Sequence, residues 1–255
     1  MNWPLWVFIF TVGAVIGSFL NVCIYRIPIG QSIVSPGSRC PACQAPIHPL
    51  DNIPILSYLL LFGRCRRCRA PISWRYPLVE ALNGGGYLLV VWQFGLTWAA
   101  LIYAAFYSAL LVITFIDLDH QIIPDVITYP GIVIGLATGY FLPVGLWGSL
   151  IGGLVGFGLF YLVAELSFRI LKQEGMGGGD IKLIAMVGAF LGWQKVLLTI
   201  FLASFAGALV GLAFMLAKGW GRRTPIPFGP FLAFGALLAL FWGASIVRWY
   251  VSLGR

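Results

Sequence analysis

Apolar residues dominate this chain and fall into eight stretches: Trp3–Tyr25, Leu78–Phe94, Trp98–Ile116, Val126–Phe141, Leu146–Ile170, Ile181–Trp193, Val196–Ala217 and Phe228–Tyr250. A helix needs about 20 predominantly apolar residues to cross a bilayer, so the pattern predicts an all-α polytopic membrane protein of about eight transmembrane helices. Leu78–Phe94 and Ile181–Trp193 fit that template least well. The second is short, which leaves it tilted, half-buried or extended by the glycine-rich loop before it. One sizeable polar segment, Arg26–Pro77, interrupts the membrane pattern. The expected organisation is a first transmembrane helix over 1–25, an extramembrane module over 26–77 and a membrane-embedded helical bundle over 78–255.

Composition sharpens this reading. A mean hydropathy of +0.94 with 9% charged residues excludes an ordinary soluble domain. The net charge of +8 would suggest nucleic acid in a soluble chain. Here basic residues flank spans and meet anionic membrane lipid, so no nucleic-acid partner is expected. No basic segment precedes Trp3–Tyr25, and that run is too long for the core of a signal peptide, so it is expected to stay as a helix. If Arg26–Pro77 is cytoplasmic, 13 of the 16 basic residues fall inside, leaving only Lys195, Arg248 and Arg255 outside. The positive-inside rule then sets the N-terminus outside and both acidic clusters of the chain on the cytoplasmic side.

Four of the five cysteines form two C-x-x-C pairs, Cys40/Cys43 and Cys65/Cys68, with 21 residues between the pairs. Two such knuckles at this separation match a tetrahedral Cys₄ zinc site, with disulfides disfavoured in a reducing cytoplasm. The neighbouring arginines (Arg39, Arg64, Arg66, Arg67 and Arg69) would favour thiolates. A closed Cys₄ shell leaves no open coordination position, so this zinc is expected to be structural. His48 lies between the knuckles but is not needed as a ligand, and Cys23 is expected to pack inside the first span.

The chemistry-bearing stretch is Gly175-Met176-Gly177-Gly178-Gly179-Asp180-Ile181-Lys182. An acid at the edge of an apolar segment is costly unless paired or solvated, which marks it as a functional candidate. Glycines permit close backbone approach, so an extended peptide could lie beside Asp180. A second cluster, Asp117-Leu118-Asp119-His120-Gln121-Ile122-Ile123-Pro124-Asp125, follows another apolar run. Two aspartates converging in a poorly solvated place share a proton, one acting as base toward water while the other polarises a carbonyl. Ion binding and proton relay are the alternative uses of membrane carboxylates, and composition alone does not separate these from proteolysis.

Gly177-x-Gly179-Asp180 resembles the G-x-G-D signature of intramembrane aspartic proteases, and the wider chain resembles the bacterial type IV prepilin peptidases. Ile116-Asp117 through Ile123-Pro124-Asp125, the paired knuckles, Asn52-Ile53-Pro54, Arg75-Tyr76-Pro77-Leu78-Val79-Glu80 and Ile226-Pro227-Phe228-Gly229-Pro230 all follow that family's pattern in order. The resemblance implies a bifunctional enzyme of the bacterial inner membrane. Such an enzyme cuts the basic leader from prepilins or pseudopilins and N-methylates the new N-terminal residue, usually Phe, with S-adenosylmethionine. Its catalytic pair maps onto Asp117 and Asp180.

No G-x-G-x-x-G loop or βαβ pattern encodes a Rossmann-type methyltransferase. Before Asp117 the chain has only Asp51 and Glu80 as acids, and Glu80 is the candidate carboxylate for the methyl-donor site, with an arginine ion pair as its alternative. Asp125 precedes an apolar run and is expected to cap a helix. Asp119 is expected to tune or solvate the site. Lys182 is left between balancing the charge of the aspartate pair and facing lipid head groups. A transporter would place its acids near the bilayer midplane in repeated halves, whereas both clusters here sit at span ends. A zinc-ribbon adaptor with one membrane anchor leaves seven further apolar stretches unexplained.

Overall fold

The computed structural model describes residues 3–172, 176–218 and 227–253. Gly175, Arg222, Arg223, Ile226 and Arg255, which the sequence reading uses, lie outside them. The described residues form α1 (Trp3–Arg26), a single turn α2 (Leu56–Leu60), α3 (Arg75–Phe94), α4 (Trp98–His120), α5 (Asp125–Thr138), α6 (Gly145–Leu171), α7 (Gly178–Leu191), α8 (Trp193–Lys218) and α9 (Gly229–Leu253). Each expected apolar stretch thus coincides with a helix. Five of them (α1, α4, α6, α8 and α9) are long and apolar enough to cross a membrane. The helices α3, α5 and α7 fall short of that template.

The chain folds as two compact units, Met1–Val112 and Ile113–Arg255, with the boundary inside α4. In the first unit α1 and α3 pack against each other. Their approach is close because Gly13 and Gly17 present no side chain: a Cβ on Gly17 would stand 2.8 Å from the Glu80 Cα. Buried Asn83 donates to the Gly13 carbonyl at 2.7 Å and accepts from Ser108 at 2.9 Å, which ties α3 to both α1 and the middle of α4. Small residues at helix interfaces, with polar side chains bridging them, are how helices associate where no hydrophobic effect separates protein from solvent.

The second unit is built around α7. All nine residues from Leu183 to Leu191 are buried, and α5, α6, α8 and α9 all contact this helix. That explains its poor fit to the span template, since a helix apolar all round is a core helix. Gly152 and Gly156 on α6 meet α7 backbone to backbone. A Cβ on Gly156 would stand 2.6 Å from the Ile184 carbonyl, and one on Gly188 would overlap the Gly152 carbonyl.

The polar segment folds on local rules. Cys40 N–H donates to the Ala45 carbonyl and Gln44 N–H to the Cys40 carbonyl; Cys65 and Arg69 repeat both bonds with Ala70 and Cys65. Gln44 and Arg69 both take positive φ, at 55° and 59°. The cause is a nine-residue repeat, Arg39-Cys-Pro-Ala-Cys-Gln-Ala-Pro-Ile47 and Arg64-Cys-Arg-Arg-Cys-Arg-Ala-Pro-Ile72. Arg66 of the second copy holds Asp51 bidentately at 2.6 to 3.0 Å. That guanidinium keeps the Asp51 carboxyl below its ordinary range.

Candidate active site and metal centre

The segment from Asp117 to Asp125 owes its shape to where α4 stops. The helix runs past the apolar stretch to His120, so Asp117 sits on its last turns rather than in a loop. Gln121 adopts φ of 53°, which ends the helix, and Pro124 then starts α5 from an extended backbone. Ile123, between them, lies against α7: a Cβ on Gly179 would come within 2.8 Å of the Ile123 Cβ. One role of the glycine run is therefore to let the second acidic cluster approach the first.

Asp117 is only 5% exposed. Its Oδ2 accepts the backbone N–H of Gly229 at 2.9 Å, from the first residue of α9. A Cβ on Gly229 would stand 2.7 Å from the same oxygen, so this donor reaches Asp117 because residue 229 has no side chain. Asp180, half-buried in the first turn of α7, lies near enough for its carboxylate to feel the charge of Asp117. The Oδ2 of Asp180 is 3.1 Å from where a Gly177 Cβ would be. Tyr161, Glu165 and Phe168 of α6, with Met176, Gly178 and Ile181 around the start of α7, line an open groove of about 270 Å³ that Asp180 itself does not line.

Lys182 and Asp125 pair with each other. The Lys182 ammonium donates to both Asp125 oxygens, at 2.7 and 2.9 Å, and sits 5.0 Å over the Tyr129 ring. Residues two apart on a helix point to different faces, so Lys182 turns to α5 while Asp180 turns elsewhere. The pair with Asp125 is a partner that neither expectation for Lys182 named. The cap expected of Asp125 is also absent: Pro124 occupies the capping position and no side chain caps α5, because the Asp125 carboxylate is taken by Lys182.

In the first unit, the sulfurs of Cys40, Cys43, Cys65 and Cys68 lie within 4.8 Å of one another, and those of Cys40 and Cys68 are 3.8 Å apart. Four thiolates about 2.3 Å from a central zinc ion would have edges of about 3.8 Å, so the cluster fits that ion. The N–H groups of Cys68 and Arg67 point at the Cys65 thiol and lower it to about 6, which suits a thiolate ligand. His48 is no part of the cluster; its Nδ1 accepts the Leu50 N–H at 3.3 Å.

Glu80 is 7% exposed, and its Oε2 accepts the Ile55 N–H at 2.8 Å, with Ser18 as a second partner. Ile55 has φ of 62°, a conformation a β-branched residue adopts only when held there. Glu80 is what holds it. The nine-residue repeat and the Gly229 donor are the two site features that the sequence reading missed. Aligning the two knuckles with each other would have found the first, whereas no local pattern places residue 229 against residue 117.

A multi-helix membrane protein with a glycine-lined aspartate pair in one unit and a four-cysteine module in the other is the class this fold defines. Residues 11–94 match the bacterial peptidase A24 N-terminal domain, and residues 104–212 match the type IV leader peptidase family. Curated relatives bearing the name prepilin leader peptidase/N-methyltransferase are similar over nearly the whole chain. The relative from Aeromonas hydrophila is 38% identical over 99% of this chain and 96% of its own. That from Pseudomonas aeruginosa is 40% identical over 94% and 91%, and that from Legionella pneumophila 36% over 99% and 97%. No solved structure matches the chain significantly. The chain belongs to the type IV leader peptidase family.

Proposed function

We propose that this protein cleaves the leader from prepilins or pseudopilins at the cytoplasmic face of the bacterial inner membrane and methylates the amine so exposed. The observation that carries the reading is that Asp117 and Asp180, on separate helices of one unit, lie near enough for their charges to interact, with the Gly229 N–H on Asp117. A donated N–H favours the ionised carboxylate, so Asp117 takes the proton of the attacking water. Asp180 carries the shared proton toward the scissile carbonyl. The groove at Gly178, near the start of the helix that carries Asp180, gives an extended peptide a place to lie, and the glycines keep side chains out of its way.

The four cysteines would hold one zinc ion, which would tie the two knuckles together and take no part in hydrolysis. The N-terminus lies outside and the cysteine module in the cytoplasm, a reading that the distribution of basic residues supports. In each unit the long helices are membrane-embedded, and in the second α7 is shielded from lipid by its neighbours.

S-adenosylmethionine, when bound, supplies an electrophilic methyl group to the new amine. Glu80 is the residue we assign to positioning that site rather than to contacting the donor. Its carboxylate already serves Ile55 and Ser18, so it shapes the loop at 53–56 and does not offer a free charge to the sulfonium. The deciding experiment mixes purified protein with a prepilin and weighs the product with and without S-adenosylmethionine. A shortened pilin, heavier by one methyl group only with the donor, is expected. An uncut pilin would overturn the reading.

A further inference from the structure

The extramembrane module carries apolar side chains where a water-facing domain would not. Phe62 is 87% exposed, more than any other large apolar residue described, and Leu60 is 76% exposed. Leu50, Leu56 and Leu59 are exposed beside them. The backbone presents them deliberately. The single turn α2 ends in two successive positive-φ residues, Phe62 at 52° and Gly63 at 64°, and that reversal throws Phe62 outward. Immediately after it come Arg64, Arg66, Arg67 and Arg69, all exposed.

The position of the membrane surface can be read from the helices. Tyr25, Trp74 and Tyr76 are exposed at one end of the α1–α3 pair, and Trp3, Trp92 and Trp98 at the other. Interfacial aromatic belts mark the two head-group levels in this way. From Trp3 to Tyr25 the helix rises about 33 Å at 1.5 Å per residue, matching a bilayer core of about 30 Å. The module therefore hangs from the belt formed by Tyr25, Trp74 and Tyr76, at head-group level.

We propose that residues 56–62 with the arginines of the second knuckle form a strap that lies in the adjoining leaflet. Leu59, Leu60 and Phe62 enter the acyl boundary and Arg64, Arg67 and Arg69 bind anionic phospholipid head groups. Charge complementarity selects lipid over the substrate's leader, which is basic in the reading above. Amphipathic segments of this make-up bind by buried apolar area together with the attraction of each basic residue to an anionic surface. This rests on the chain being a membrane protein, not on the protease assignment.

The test is photo-cross-linking of the full chain in nanodiscs, with benzoylphenylalanine replacing Phe62 or Leu60, together with hydrogen exchange over 56–62. Adducts to phospholipid are expected at both positions. Amide protection should fall at least about threefold when phosphatidylglycerol is replaced by phosphatidylcholine. Adducts to a second copy, to another segment of the chain, or to a prepilin would overturn the proposal, as would exchange insensitive to lipid charge. A Leu60→Glu/Phe62→Glu variant that keeps its zinc should lose the lipid-dependent protection; retaining it would overturn the proposal equally. Prepilin cleavage by the wild-type discs, measured alongside, keeps failure of the strap distinct from failure of the protease reading.

Discussion

At the scale of single residues, the site divides into groups that react and groups that hold them. Asp117→Asn and Asp180→Asn should each abolish leader cleavage while leaving a folded, inserted protein, because an amide can neither accept the water's proton nor share one. Asp119→Asn should keep measurable activity. Near wild-type cleavage by either of the first two would remove the aspartate pair from the chemistry. Gly229 is a holder: a Cβ there would press on Asp117 Oδ2 at 2.7 Å. Gly229→Ala should therefore lower kcat by roughly 10- to 100-fold, the order lost when a reacting group is displaced by a fraction of an ångström to 1 Å. The Lys182–Asp125 pair is a holder of a different kind, since it fixes the start of α7 to α5. Lys182→Met should cut activity about tenfold. The exchanged pair Asp125→Lys/Lys182→Asp should regain part of it, an effect that a merely lipid-facing lysine would not produce.

At the scale of elements, the packing of α6 on α7 sets the position of Asp180. Gly188→Val would drive a branched side chain into the Gly152 backbone, which cannot move aside as a side chain could. A destabilisation of about 1–3 kcal/mol or more is expected, read as a lower midpoint of thermal unfolding in detergent. Much at this scale was legible in the chain: each apolar stretch became a helix, and the C-x-x-C spacing located the sulfur cluster. What escaped did so for physical reasons. Hydropathy counts apolar residues without saying whether lipid or protein covers them, so α7 reads as a defective span when it is a core helix. Asp125 looked like a cap because capping is decided by the nearest N–H groups, whereas here a cation 57 residues further along took the carboxylate. Gly229 was visible only as part of a motif. Its purpose needed the 112 residues that separate it from Asp117 to be folded.

At the scale of the molecule, the cysteine module and the aspartate pair lie in different compact units, so metal and hydrolysis should be separable. Protein purified without added metal should contain one zinc per chain. Removing it with a strong chelator should loosen residues 39–72 toward proteases, since structural zinc contributes folding energy directly. Cleavage of a prepilin should survive that treatment at a rate within about threefold. Glu80→Gln keeps the shape of its side chain but weakens the hold on Ile55, and it should lower methylation more than cleavage in a product-mass assay. Equal loss of both would place Glu80 among the purely structural residues.

The bond from Gly229 to Asp117 also says something about how the protein is made. The chain emerges from the ribosome in order, so α4 enters the membrane with Asp117 unpartnered and α7 follows with Asp180, both before α9 exists. The donor that settles Asp117 arrives only with α9. A nascent chain stopped before residue 229 would thus be an inserted precursor with an incomplete site, unable to cut anything during its own synthesis. Supplying α9 afterwards as a separate segment should switch it on.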